Sequence, residues 1–231
     1  MSRSYHETRS RRRVEQQLDL IDPAELGRKR AVKAMVRMDR VHRTSMDFEP
    51  VPPDAIPIVV KESGEHLCYP ASLTDLRAVM GALPPGSLTG LASIELSSGR
   101  LASEDLAPFP NEVRDPYFGR RGTLLCPGVF EPLLRGTYVV EDNRIQLFAC
   151  VVDPEALIGG REQWILRYDM LETLVHEIAH HFDYTSRTHG YRQATHTDEK
   201  AEAFADALTT EWCESYVVPY LKAQIRRERN R

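Results

Sequence analysis

The chain has 231 residues and a formal net charge of −4, and its 42% hydrophobic and 28% charged residues are ordinary for a water-soluble globular protein. That length suits one generous domain, or a domain with an extension, and is enough to bury a sizeable core. No window approaches about 18 uninterrupted apolar residues and no apolar stretch follows the first arginines, so neither a membrane span nor a secretory leader is expected, and the compartment expected is the cytoplasm.

Charge is uneven along the chain. Residues 1–43 hold twelve Lys and Arg against six Asp and Glu, so the rest is strongly acidic. Residues 1–50 read as a basic arm, disordered or helical, in which Asp22 caps and Pro23 begins a helix running to about Arg43. The run "RSRRR" at 9–13 is a candidate contact for nucleic acid or an acidic partner, but no aromatic residues interleave with it, and a solvated tail is the plainer reading.

Prolines at 50, 52, 53 and 57 separate the arm from "IPIVV", a short strand, and open a second segment, 51–231, expected to be the folded domain. "SLTDLRAVMGALPPG" has a Ser or Thr cap, helical spacing of Leu73, Leu76, Val79, Met80 and Leu83, and a stop at Pro84-Pro85-Gly86. Ile94-Glu95-Leu96 reads as a strand and residues 98–120 as a long loop. "GTYVVEDNRIQLFACVV", residues 136–152, reads as a hairpin whose second strand, Ile145–Val152, leads toward a long helix from about Glu162 to Asp183. Between them, Asp153-Pro154 can start a short turn that Gly159-Gly160 ends. Cys68, Cys126, Cys150 and Cys213 have no CxxC spacing, which argues against a zinc ribbon or a thioredoxin-type pair and leaves thiols in the core.

In the long helix, Trp164, Tyr168, Leu171, Val175, Ile178 and Phe182 recur at intervals of four and three and form a core stripe. At about 100° per residue, His176 and His180 fall on a shoulder roughly 100–140° from Val175. Positions i and i+4 stack, so the two imidazoles can converge on one cation with Glu177 beside them, the pattern HExxH. A zinc ion held this way keeps a position for water and lowers its pKa, and a nearby carboxylate can take the proton. A chance HExxH in a chain with eight histidines arises at a rate on the order of a few per cent, and few such accidents would fall on the strongest helix.

Catalytic zinc normally has three protein ligands. "HTDEKAEAFADALTTEW", residues 196–212, reads as another helix with a stripe of Ala201, Phe204, Ala205, Leu208 and Trp212, and with Glu199, Glu202 and Asp206 along one side. His176-Glu177-x-x-His180 followed by Glu202-Ala-Phe-Ala-Asp206 resembles the gluzincin zinc metallopeptidases, over about residues 136–214. The resemblance implies an α+β zincin-like fold, with a small mixed sheet, an active-site helix and a C-terminal helical part. It further implies one zinc per chain held by His176, His180 and Glu202, Glu177 as general base, and Asp206 as the carboxylate holding the outer nitrogen of a ligand imidazole. Residues 51–135 match no pattern.

Several rivals are weighed against this set. A metzincin extension would need glycine at position 183 and histidine at 186, where the chain has Asp183 and Ser186. His181 points about 100° away from His180 and reads as structural. Glu199 is a rival to Glu202 but lacks an Asp four residues on. His189, Tyr191 and His196 lie between the helices, and Tyr191 and His196 are candidate donors to an oxyanion.

The expected activity is hydrolysis of a peptide or protein substrate by zinc-activated water, with the substrate adding as a strand beside Ile145–Val152. The alternatives are a regulatory or interaction protein that keeps this fold and binds partners through the basic arm, and a zinc hydrolase of a non-peptide amide.

Overall fold

The computed structural model describes residues 51–98, 113–114, 121–132, 134–153, 155–156, 158–186 and 199–230. The basic arm, the helix expected from Asp22, most of the loop expected over 98–120, and His189, Tyr191 and His196 lie outside the described residues. Within them the class is α+β. The elements are β1 (Ile58–Val60), β2 (Leu67–Cys68), α1 (Leu73–Ala82), β3 (Ser93–Ser97), β4 (Val113–Arg114), β5 (Arg121–Cys126) and β6 (Val129–Pro132). They continue with β7 (Gly136–Val139), β8 (Arg144–Phe148), β9 (Cys150–Val152), α2 (Gly160–Ser186), α3 (Glu199–Trp212) and α4 (Val218–Arg229).

α1 forms where the cap and the apolar spacing place it. The Ser72 hydroxyl accepts from the Asp75 N–H at 3.2 Å, and the Asp75 carboxylate accepts from the Ser72 N–H at 2.7 Å, a reciprocal capping box. Leu76, Val79 and Met80 turn inward, and the helix ends at Leu83, ahead of Pro84.

The first sheet has the order β1-β3-β8-β7. β1, β3 and β8 run parallel, and β7 pairs antiparallel with β8 as an edge strand, so this sheet is small and mixed. Alternation divides its faces: Ile94, Leu96, Ile145, Leu147 and Tyr138 enter the main core, while Glu95 on the other face is paired with Lys61 at 3.2 Å and Arg144 at 2.8 Å. The β7–β8 connection is tight because Asn143 takes the left-handed conformation, φ 50° and ψ 43°.

The second sheet, β2-β9-β6-β5-β4, is antiparallel throughout and was not expected from the sequence. Its β5–β6 hairpin turns at Pro127-Gly128, with Gly128 at φ 77°.

The strand expected over Ile145–Val152 is divided at Ala149, where the chain passes from one sheet to the other. β8 lies between β3 and β7, and β9 between β2 and β6. Both are interior strands with neighbours on each side, so the expected addition of a substrate strand there is corrected: β7 is the edge strand that packs on α2.

α2 is longer than expected, opening at Gly160 with φ 58°. Leu171, Val175 and Ile178 are fully buried and Phe182 nearly so, as their spacing requires. Trp164 is only half-buried, whereas Leu174, Ala179, His180 and His181 are buried as well. The stripe widens to most of the helix because the sheet covers one side and α3 another.

α3 continues through a wider π-type turn at Cys213–Val217 into α4. Pro219 explains the widening, since it has no N–H to donate and its ring crowds the carbonyl four residues back. α4 is fastened to α1 and α2 by one buried carboxylate. Asp75 accepts from Arg167 Nε at 3.0 Å, from a second Arg167 nitrogen, and from the Tyr220 hydroxyl at 2.5 Å. Burial alone would raise the Asp75 pKa, but these donors outweigh it and hold the carboxyl below its ordinary range. Among the described residues, no helix is long and apolar enough to cross a membrane.

Candidate metal centre

α2 and α3 pack along one another, and each contributes one turn-spaced pair of polar residues to the groove between them. From α2, His176 and His180 bring their Nε2 atoms to 3.1 Å. From α3, Glu202 places Oε2 3.6 Å from His176 Nε2 and Oε1 3.7 Å from His180 Nε2. The three side chains offer ligand atoms that all lie within 4.8 Å of one another, and they are the group of this kind found among the described residues.

This donor set fits a tetrahedral cation. Bonds of about 2.0–2.1 Å to zinc place neighbouring ligand atoms about 3.3–3.5 Å apart, close to the 3.1 Å between the two imidazole nitrogens and to the 3.6 and 3.7 Å that separate each nitrogen from one of the two Glu202 oxygens. Two imidazoles and one carboxylate leave a fourth position, and the His176 and Glu202 side chains are 23% and 32% exposed, against 5% for His180.

Electrostatics tie the group together. Burial works against a charged His176, but the Glu202 carboxylate 3.6 Å away and the charges of Glu177 and Asp206 outweigh it and lift the imidazole pKa to about 9. Burial likewise opposes ionisation of Glu202, yet its close approach to both imidazoles, at 3.6 and 3.7 Å, pushes its pKa far below the usual carboxylate range. The carboxylates thus favour a proton on His176, and a metal held by the group would compete with that proton.

The outer nitrogen of His176 has two partners on α3. Asp206 Oδ1 is 3.7 Å from Nδ1, an ion-pair distance but too long for a hydrogen bond, while Thr209 Oγ1 is at 3.3 Å. The Thr209 hydroxyl donates to the Ala205 carbonyl at 2.7 Å, so toward His176 its oxygen accepts. That arrangement puts a proton on Nδ1 and turns Nε2 toward the group. Thr209 was missed in the sequence, although it lies seven residues after Glu202 and so on the same helical face.

Glu177 lies against β7. It is 5% exposed, and its Oε2 has no hydrogen-bond partner among the described residues. A buried carboxylate oxygen left this way is costly unless water or a ligand meets it. β7 lies directly behind it: a Cβ placed on Gly136 would come within 3.3 Å of Glu177 Cγ and 2.6 Å of Thr173 Cγ2. The glycine permits this approach, and a glycine opening a strand is the signal that was available for it.

His181 is structural, as its direction on the helix suggests. It is fully buried, with Nε2 2.9 Å from the Thr89 carbonyl and Nδ1 3.1 Å from the Tyr138 hydroxyl. Nε2 must donate to the Thr89 carbonyl, while Nδ1 faces the Tyr138 hydroxyl, whose own proton goes to Asn143 Oδ1 at 2.8 Å. Burial dominates its titration and lowers the pKa to about 4.

Glu199 opens α3, and its side chain is outside the described residues, as are Tyr191 and His196. Compared with models of known families, with curated proteins and with solved structures, the chain gives no match.

Proposed function

We propose that this chain is a zinc-dependent peptidase of the gluzincin kind with a zincin-like fold, in which His176, His180 and Glu202 hold the metal and Glu177 is the general base. The observation that carries the reading is the convergence of His176, His180 and Glu202, whose ligand atoms lie within 4.8 Å of one another, with the next residue, Glu177, holding a buried carboxylate oxygen that has no hydrogen-bond partner among the described residues. An extended substrate lies along β7, which among the described residues is an edge strand and packs on α2, with its scissile carbonyl at the group.

Zinc bound there supplies Lewis acidity, polarising the carbonyl and lowering the pKa of a water. Glu177 accepts the proton of the attacking water through Oε2 and delivers it to the leaving amine nitrogen, so no covalent bond to the enzyme forms. Thr209 and Asp206 keep His176 in the orientation and tautomer that ligation needs. β7 carries Gly136 behind Glu177, which limits the swing of the carboxylate and shields its inner side from solvent.

The test is Glu177→Gln assayed on a quenched fluorescent peptide library. Hydrolysis falls by at least about 10²–10⁴-fold while zinc content is unchanged, because the base is lost and the ligands remain. Hydrolysis at the parent rate would refute the assignment.

A further inference from the structure

Cys68 and Cys150 are far apart in sequence, and no linear spacing pairs them. The second sheet does. β2 and β9 run antiparallel with Leu67 opposite Val151 and Cys68 opposite Cys150. The Val152 N–H donates to the His66 carbonyl at 2.9 Å, so 66 and 152 are a hydrogen-bonded pair and, two residues along the ladder, so are 68 and 150.

Residues opposite each other in such a pair share a face of the sheet, with Cα atoms about 5.5 Å apart. That lies inside the roughly 4.4–6.8 Å spanned by disulfides. Cys68 also packs against the small cluster that contains Val129, Cys150 and Leu166. Both residues carry thiols here; Cys150 is 6% exposed and Cys68 is half-buried.

We infer that Cys68 and Cys150 are a site of reversible oxidation, closing into a cross-strand disulfide by exchange with a small-molecule disulfide of the glutathione type. Cys68, the more accessible, loses its proton and attacks one sulfur of the reagent, so that an S–S bond forms to Cys68 and one small thiolate leaves. The Cys150 thiolate then attacks Cys68 Sγ, the mixed bond breaks, and the second small thiolate leaves. Two protein thiols are oxidised, one reagent disulfide is reduced to two thiols, and the two cysteine protons end on them.

Burial raises the Cys68 pKa, so the first step is slow at neutral pH and quickens in mild alkali. β9 is the strand that leads toward α2, and β2 immediately precedes α1, so the bridge ties the approach to the histidine helix to the approach to α1. The inference does not depend on the peptidase reading.

The full chain is incubated with excess oxidised glutathione in mild alkali, blocked with N-ethylmaleimide and digested without reduction for peptide mass spectrometry. The expected product is a linked peptide pair carrying Cys68 and Cys150 within one chain, abolished by dithiothreitol, together with a rise of several degrees in Tm that reverses on reduction. Cys68→Ser removes both the linked pair and the rise. Recovery of Cys68 only as its glutathione adduct, recovery of both cysteines blocked by maleimide, or linkage of either to Cys126, to Cys213 or between chains would overturn it. The peptide result on the parent protein stands whether or not the variant folds.

Discussion

Gly136 on β7 and Glu177 on α2 face each other so closely that a methyl group on the glycine would stand 3.3 Å from Glu177 Cγ. Two residues along the strand, Tyr138 meets His181, four residues along the helix. The rise of two strand residues and that of four helical residues are both about 6–7 Å, which keeps the edge strand in step with the helix.

Gly136→Ala therefore acts on the base without touching the metal ligands. Overpacking against Thr173 and Glu177 is expected to cost about 1–3 kcal/mol of stability, read from urea unfolding. Under the proposed mechanism, kcat falls while zinc content stays at the parent value. An alanine variant with unchanged stability and turnover would mean that β7 does not support Glu177.

Thr209→Ala removes the oxygen that receives the His176 Nδ1–H. Zinc affinity, measured by competition with a chromophoric chelator, is expected to fall about 10–100-fold, and Thr209→Ser to restore most of it. Equal affinities in all three proteins would leave Asp206 as the partner that matters.

Metal binding should release a proton from His176, whose pKa is lifted to about 9. Between pH 6.5 and 9 the affinity is expected to rise about tenfold per pH unit, with about one proton released per metal, measured by calorimetry in buffers of different ionisation enthalpy. The sign for the metal-free protein is the opposite. A raised pKa contributes stability that is fully present below the unfolded value and is lost as pH rises through about 9. A metal enthalpy independent of buffer would contradict the protonated group.

His181 titrates the other way. Its pKa is lowered to about 4, so between pH 6.5 and 4 the unfolded chain binds a proton that the folded chain refuses, and stability falls across that window. His181→Phe keeps a ring but leaves the Thr89 carbonyl and the Tyr138 hydroxyl without it, at a cost of about 1–3 kcal/mol at neutral pH. The acid slope then flattens. Parent and variant with the same slope from pH 6.5 to 4 would show that another group controls it.

What could be read in advance was whatever depends on neighbours in sequence. The Ser72 cap, the stop at Pro84, the hairpin around Asn143 and the i, i+4 pairs His176/His180 and Glu202/Asp206 are all local patterns, and the structure has each in place. The second sheet was not legible, because β2 finds its partner in β9, on the far side of the chain, and β4 and β9 are too short to show alternation. Pro127-Gly128 was the available sign of the β5–β6 hairpin. The division of Ile145–Val152 at Ala149 escaped for a related reason: a run buried in two sheets looks like one continuous strand. Thr209, Gly136 and the partners of His181 needed two elements brought together before their roles could be seen.

The central claim is that His176, His180 and Glu202 form one metal site, and elemental mass spectrometry of the purified chain beside Glu202→Ala addresses it directly. The account predicts about one zinc per chain in the parent and its loss, by at least about tenfold in affinity, in the variant. A parent that holds no metal after zinc is supplied, or a variant that holds as much as the parent, would contradict it.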